Sequence, residues 1–437
     1  MPSLEIKNFV LRVVLMGWLL LVAVTPGWSH PMPSSAVLLH LHNTGIDAQL
    51  YLPIIELRLG WEKPVPMDAV KAVREYGPGL KGYVLKHIHP VAPDGRPWTV
   101  TVHKITPVVE QIPDMLVDVT MTPPPGAPAD RLTLNYDVIF HKLITHTAIV
   151  SVVSDWHNGQ LDGKPVLLGT MRDISPSLVI DRSQGNWWRG FVGVLRLGVR
   201  HIAEGTDHLM FLLALLLPAP LLAVGNRWGG YAGGKTALWR ITKVVSAFTI
   251  GHSITLIFGA LGWVHLPSAF IESAIALSIF ISAIHALVPI FRGKEVFIAA
   301  GFGLVHGLAF ASTLTEFGFD PITMVSSVFA FNIGIEVMQL LVILVTMPWL
   351  VLLASTRLYP PLRVVGACIT GVAAASWFFE RAFGCSNPIG PLVESVAANA
   401  LWLVVGLATV AVGATLIPKA RLATPITPAE CQEAAME

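Results

Sequence analysis

The amino-acid sequence predicts a polytopic α-helical membrane bundle of about seven spans, preceded by an exported, mainly β domain of the immunoglobulin-like sandwich type. Three observations predict it. Hydrophobic residues make up 53% of the 437 positions and charged residues only 13%, about half the charged share of an ordinary soluble chain. The apolar residues are concentrated, with near-continuous hydrophobic segments from Phe191 to Ile417 and soluble-type composition from 30 to 185. Basic residues between the segments fall on alternate loops, the asymmetry that orients a helical membrane protein.

The first 29 residues have the form of a cleavable signal peptide. Lys7 and Arg12 precede the 12-residue apolar run Val13 to Val24, which ends at Pro26-Gly27-Trp28-Ser29, a charged region, a short apolar region and a small-residue exit. Twelve residues are too few to cross a bilayer comfortably. Cleavage after Ser29 would leave His30 as the new N-terminus, facing a bacterial periplasm.

Residues 30–185 form the predicted extracytoplasmic domain. Period-two runs place strands at Ala36–His42, Ile46–Leu52, Gly82–His89, Trp98–Ile105, Met115–Met121, Arg131–Phe140 and Thr147–Ser154, with turn residues such as Pro93-Asp94-Gly95 between them. One short helix is predicted at Met67–Tyr76. Seven short strands at this spacing suit an immunoglobulin-like sandwich. A polar stretch, Asp181 to Asn186, leads into Trp187-Trp188, residues suited to a membrane interface.

Residues 186–417 are the predicted transmembrane domain, with spans at 191–217, 241–261, 269–291, 296–314, 323–350, 363–383 and 393–417. Arg227, Lys235, Arg240, Lys243, Arg292, Lys294, Arg357, Arg363, Lys419 and Arg421 lie on one set of loops, and only Arg381 on the other. With the signal peptide, this charge pattern predicts a cytoplasmic (inner) membrane protein whose C-terminus is inside. The tail, 418–437, has Pro425 and Pro428 and is predicted to be disordered, without a function.

Composition excludes several classes. A net charge of +1 lacks the electrostatic footprint of a nucleic-acid binder. Three cysteines and no C-x-x-C pair exclude a disulfide scaffold and thiolate zinc sites. No P-loop is present, so any transport would draw on the membrane potential or on ion coupling.

Polar residues inside the apolar spans are costly and mark functional sites. The first span carries His201, Glu204, Asp207 and His208. On a continuous helix, His201, Glu204, Gly205 and His208 share one face and Asp207 lies on the flank near Arg200. The two histidines then stand two turns, roughly 10 Å, apart, so they need partners from other helices. Those are available as Ser246, Thr249, His252 and Ser253 in the second span, Ser278, Ser282 and His285 in the third, and His306 beside Gly303 and Gly307 in the fourth. Asn332, Glu336 and Gln339 form a stripe in the fifth. The plain alternative is a self-satisfied polar core. In the exported domain lie His30, His40, His42, His87, His89, His103, His141, His146 and His157, nine of the fifteen histidines. The His-x-His pairs 40/42 and 87/89, if in strands, put both rings on one face about 7 Å apart. His40, His42, His87 and His89, with His30 as a free N-terminus chelating through amine and ring, are secondary metal-ligand candidates, against the alternative of plain surface histidines.

Several segments resemble one family. His201-x5-Asp207-His208 with Gly205 looks like the H-P-x-x-G-x-D-H signature of HupE/UreJ proteins, hydrogenase and urease accessory nickel permeases, with Ile202 in place of the proline. Phe248 to Leu256, His306 to Ala311, Phe331 to Glu336 and His30-Pro31-Met32-Pro33-Ser34 resemble the branch of that family with an extra exported domain. The resemblance implies a permease for a transition-metal divalent cation, Ni²⁺ first and Co²⁺ or Cu²⁺ after it. The ion would be transported, with no tightly bound cofactor, and a metalloenzyme or its maturation proteins would be partners beside the bilayer.

The donor types agree, since imidazole with carboxylate and water suits such ions. His201, Asp207 and His208 are the expected first ligands, with Glu204, His252, His285, His306 and Glu336 along the path. Two other classes use the same residues. An intramembrane zinc hydrolase would hold a metal with an activated water, near Ser253. A metal-delivery or assembly factor would work through the exported domain.

Overall fold

The computed structural model describes residues 34–416, apart from 111, 162, 265 and 311–320. The expected signal peptide, His30 and the expected disordered tail lie outside the described residues.

The N-terminal part is built from nine strands: β1 (Ser35–Leu41), β2 (Ile46–Pro53), β3 (Ile88–Val91), β4 (Thr99–Val108), β5 (Asp114–Thr122), β6 (Arg131–Tyr136), β7 (Ala148–Asp155), β8 (Val166–Met171) and β9 (Ser177–Asp181). They form a six-stranded sheet in the order β4-β5-β2-β1-β7-β8 and a three-stranded sheet β3-β6-β9. All pairings are antiparallel except β1 with β7. Strict alternation makes the core: Val37, Leu39 and Leu41 of β1 and Met115, Val117 and Val119 of β5 point inward while their neighbours face outward. They meet Ile88, Leu132, Leu134 and Tyr136 of the smaller sheet.

Two helices complete this part, α1 (Ile54–Gly60) and α2 (Ala69–Lys86). The expected immunoglobulin-like sandwich is not confirmed; the described residues of this part form one mixed and one antiparallel sheet, with an 18-residue helix between β2 and β3. The expected strand Gly82–His89 is mostly helix. Asp68 caps α2 by accepting from Lys71 N–H at 3.0 Å, and Ala69, Ala72, Leu80, Tyr83 and Val84 recur at helical spacing into the core. Burial of that face outweighs the cost of Gly77, Pro78, Gly79 and Gly82 within the helix. The strand expected to run to Phe140 stops at Tyr136, where the chain turns through Ile139 in the left-handed region, φ 73°.

The C-terminal part is helical: α3 (Trp187–Glu204), α4 (Thr206–Leu216), α5 (Gly234–Ala260), α6 (Ser268–Leu287), α7 (Glu295–Ala309), α8 (Pro321–Ala354), α9 (Tyr359–Phe383), α10 (Gly390–Ala398) and α11 (Ala400–Leu416). A hairpin, β10 (Leu221–Val224) with β11 (Arg227–Tyr231), joins α4 to α5. Four helices, α5, α6, α8 and α9, are long and apolar enough to cross a membrane, and α10 with α11, bent by 70°, makes a fifth if counted as one. Each expected span has a helical counterpart, but the first is broken at Gly205 and the fourth is a 15-residue helix.

The two parts are tightly joined. Asn186 caps α3 by accepting from Arg189 N–H at 2.9 Å. The turn after β7 wedges against that helix, Trp156 against Gly190 and Gly159 against Gly193, and Trp156 Nε1 donates to Ser327 Oγ of α8 at 3.0 Å. Arg182 pairs with the buried Asp155 at 3.0 Å and also donates to the His42 carbonyl at 2.8 Å. Trp187 and Trp188 remain exposed at the start of α3, as an interfacial aromatic belt does. Within the bundle, α5 packs on α7 and α8, and α6 on α9. Gly303 and Gly307 allow the first contact, because a Cβ at either would overlap a backbone carbonyl of α5, Phe248 or His252.

Candidate metal centre

The break at Gly205 makes the site. Its ψ of 94° ends α3 and starts α4, so His201 in the last turn of one helix folds toward His208 in the first turn of the next. Their ring centroids are 4.7 Å apart. The two-turn separation expected of a continuous helix is thereby corrected. A Cβ on residue 205 would lie 2.9 Å from His208 Nδ1, so glycine is required by the close approach itself. Glycine followed by Thr206, Asp207 and an unbroken apolar run is a helix-start pattern, and it is the signal that reveals the break.

Two more histidines close the site. His252 of α5 is fully buried, with its ring centroid 6.3 Å from that of His201. His201, His208 and His252 each offer a ligand atom within 4.8 Å of the other two. His306 of α7 is also buried, 5.3 Å from His208 between centroids. Phe211, Phe248, Phe310 and Phe331 pack against these rings, a low-dielectric shell that sequence spacing did not single out.

Three of the four rings are held by one nitrogen. His208 Nδ1 meets Asp207 Oδ1 at 3.0 Å, His252 Nδ1 lies 3.4 Å from Asn332 Oδ1, and His306 Nε2 is 2.9 Å from Ser278 Oγ. The opposite nitrogens, His208 Nε2, His252 Nε2 and His306 Nδ1, are buried without a hydrogen-bond partner. A buried polar atom left unsatisfied costs about 1–3 kcal/mol. Rings anchored through one nitrogen and open at the other have the form of metal-ligating histidines.

The remaining sequence candidates are distributed differently. Asp207 touches His208 and so orients its ring. Glu204 stands outside the cluster, in the last turn of α3, 73% exposed and paired with Arg200 at 3.6 Å. Glu336 of α8 accepts from Ser246 Oγ at 2.5 Å, and its other oxygen is buried without a partner. Gln339 accepts from Thr249 at 3.0 Å on the same stripe. Ser282 is one turn along α6 from Ser278. With His285, Arg240 and Glu295 it lines a separate cavity of about 120 Å³. Ser253 donates to the Thr249 carbonyl at 2.7 Å.

In the β domain the rings of the two His-x-His pairs have separate hydrogen-bond partners. His40 lies by Ser154 at 3.0 Å, His42 by Asp47 at 3.1 Å, and His89 by the Lys86 carbonyl at 2.8 Å. His87 closes α2 rather than lying in a strand, and it groups with Asp137 and His141, two residues that spacing alone did not connect to it.

A helical membrane protein with a buried histidine cluster at a helix break is thus the class that fold and site define. Residues 177–381 match the family model described as HupE / UreJ protein, so the helical part of this chain carries a HupE/UreJ region and the resemblance seen in its motifs holds. No curated protein and no solved structure matches the chain.

Proposed function

We propose that the protein is a permease for a transition-metal divalent cation, Ni²⁺ first, with Co²⁺ or Cu²⁺ as the alternatives. The observation that carries the reading is the set of three buried, unpartnered imidazole nitrogens on His208, His252 and His306. The HupE / UreJ match over the same helices supports it, as that family's name goes with metal transport or accessory roles. Imidazole with few other donors binds such an ion without trapping it, and conduction needs an ion that can leave.

In this reading the cation is held first by His201, His208 and His252, with His306 beside them. It then passes the stripe Asn332, Glu336 and Gln339, whose Glu336–Ser246 pair lies about 9 Å further along α5 by helical rise. The cavity with Ser282 and His285 is the exit. We further propose seven spans, taking α3 with α4 and α10 with α11 as one broken span each. The β domain then sits in the periplasm and the basic loops in the cytoplasm.

The test is uptake of Ni²⁺, Co²⁺, Cu²⁺ and Zn²⁺ into liposomes containing the purified protein, beside the His201→Ala/His208→Ala variant. Selective uptake by the wild type alone is the expected result and names the ion. Absence of flux, with one ion firmly retained, would replace the permease by the zinc-hydrolase or delivery reading.

A further inference from the structure

A second group of ligating atoms lies in the β domain, far along the chain from the helix break. His87, Asp137 and His141 each offer one atom within 4.8 Å of the other two. The backbone assembles them. His87 closes α2, and its carbonyl accepts Asp137 N–H at 3.1 Å. Beyond Asp137 the chain turns through Ile139 at φ 73°, a conformation that a β-branched residue seldom adopts. Tyr83 Oη holds that turn by accepting Ile139 N–H at 3.0 Å. The turn returns His141 over His87, with ring centroids 4.0 Å apart and planes 21° from parallel.

Asp137 orients both rings. Its carboxylate is 2.8 Å from His87 Nδ1, and its backbone carbonyl is 3.0 Å from His141 Nδ1. Both oxygens accept, so each Nδ1 carries the proton and each Nε2 carries the lone pair. Histidine ligands in metal sites are anchored in this way, through N–H to a carboxylate or a backbone carbonyl. Tyr83 lies against both rings, at 4.7 Å and 5.8 Å, and Trp61 stacks on Tyr83 at 5.5 Å. The Asp137 side chain is 43% exposed on the other side, so the group has an aromatic wall and a solvent-facing mouth.

We propose that His87, Asp137 and His141 form a divalent transition-metal site on the exported domain, independent of the cluster in the bundle. The two imidazoles are ligands through Nε2, Asp137 anchors both through their Nδ1 protons, and water fills the open positions. Two imidazoles with water suit Zn²⁺, Ni²⁺ or Cu²⁺. The thiolates that Cu⁺ needs and the oxygen cage that Ca²⁺ needs are both missing from this donor set. Metal–nitrogen bonds of about 2.0–2.1 Å put neighbouring ligand atoms ~3.3 Å apart, inside the 4.8 Å within which these atoms lie.

The experiment uses the full chain in detergent with His201→Ala/His208→Ala, so that the bundle cluster is disabled. Co²⁺ is titrated and followed by its visible bands, and Cu²⁺ by nitrogen hyperfine structure in electron paramagnetic resonance. One equivalent bound per chain is expected. It should be lost with a further His141→Ala, weakened 10–100-fold with Asp137→Asn, and unchanged with His103→Ala. Matching melting curves without metal establish that each variant folds, and His141→Gln replaces His141→Ala if that one does not. An unchanged stoichiometry and spectrum in the His141 variants, or no binding by the parent, would overturn the proposal.

Discussion

Asp207 separates an orienting role from a ligand role, and Asp207→Asn tests which it has. Its Oδ1 accepts twice from one residue, at 2.9 Å from His208 N and 3.0 Å from His208 Nδ1. The carboxylate fixes the proton on Nδ1 and directs the unpartnered Nε2 at the cluster. Asparagine keeps the shape and one accepting oxygen but loses the charge. A charge-assisted hydrogen bond contributes about 1.5–3 kcal/mol, against about 1 for a neutral one, so the change should cost about 1–2 kcal/mol. Replacing an outer partner of a metal-bound histidine weakens affinity 10–100-fold, about 1.4–2.7 kcal/mol. The two estimates agree.

The assay is calorimetric titration of Ni²⁺ or Co²⁺ in a His141→Ala background, so that only the bundle cluster contributes. Asp207→Asn should raise Kd 10–100-fold at unchanged stoichiometry, while His208→Ala should abolish binding. An unchanged Kd would show that Asp207 does not orient His208. Complete loss equal to that of His208→Ala would make Asp207 a ligand in its own right.

Gly205→Ala keeps every ligand yet should weaken the same binding at least tenfold, because the new Cβ would lie 2.9 Å from His208 Nδ1; calorimetry in the same background decides it. Arg182→Met leaves Asp155 charged and buried and removes the donor to the Leu41 and His42 carbonyls at the end of β1. It should cost about 3–5 kcal/mol, seen as faster proteolysis of the β domain, with partial recovery in Arg182→Met/Asp155→Asn. Asp114→Asn should stabilise near neutral pH. Burial first, and Glu110 second, push the Asp114 carboxyl up to about 6, so the folded state binds the extra proton between the ordinary value and 6. Stability due to this group is present at low pH and falls as pH rises through that window. Discounted for the solvent screening of a half-buried group, the gain above pH 6 is on the order of 1 kcal/mol, or about 2–4 °C in Tm. No gain should appear at pH 4, and a gain equal at both pH values would refute the cause.

What the sequence made legible follows from solvent. Lipid demands long apolar helices and leaves polar residues conspicuous, so His201, His208, His252, His306 and Glu336 could be picked out and matched to helices. Alternation likewise exposed six of the strands in the β domain, where one face is buried and the other wet. It failed at Gly82–Lys86, because the same apolar residues also fit a helical period and only the core of the other sheet decides between them. The group at His87, Asp137 and His141 was invisible for a related reason. Fifty residues separate His87 from Asp137, and a strained turn at Ile139, not a spacing rule, brings His141 back.

Glu204 and the His201–His208 pair show why helical arithmetic misled at the break itself. On an unbroken helix His208 N–H would bond the carbonyl of Glu204. Here Asp207 Oδ1 takes that donor instead, at 2.9 Å, while Gly205 N–H still reaches the His201 carbonyl at 3.1 Å and Leu209 N–H reaches the Gly205 carbonyl at 3.1 Å. The backbone thus keeps a helical hydrogen bond on either side of the bend, and a carboxylate at a helix N-terminus is favoured by the dipole as well. The Asp-His pair therefore caps the break and aims the ring with the same oxygen. That double use accounts for an aspartate immediately before the second histidine, where a ligand role alone would not fix its position.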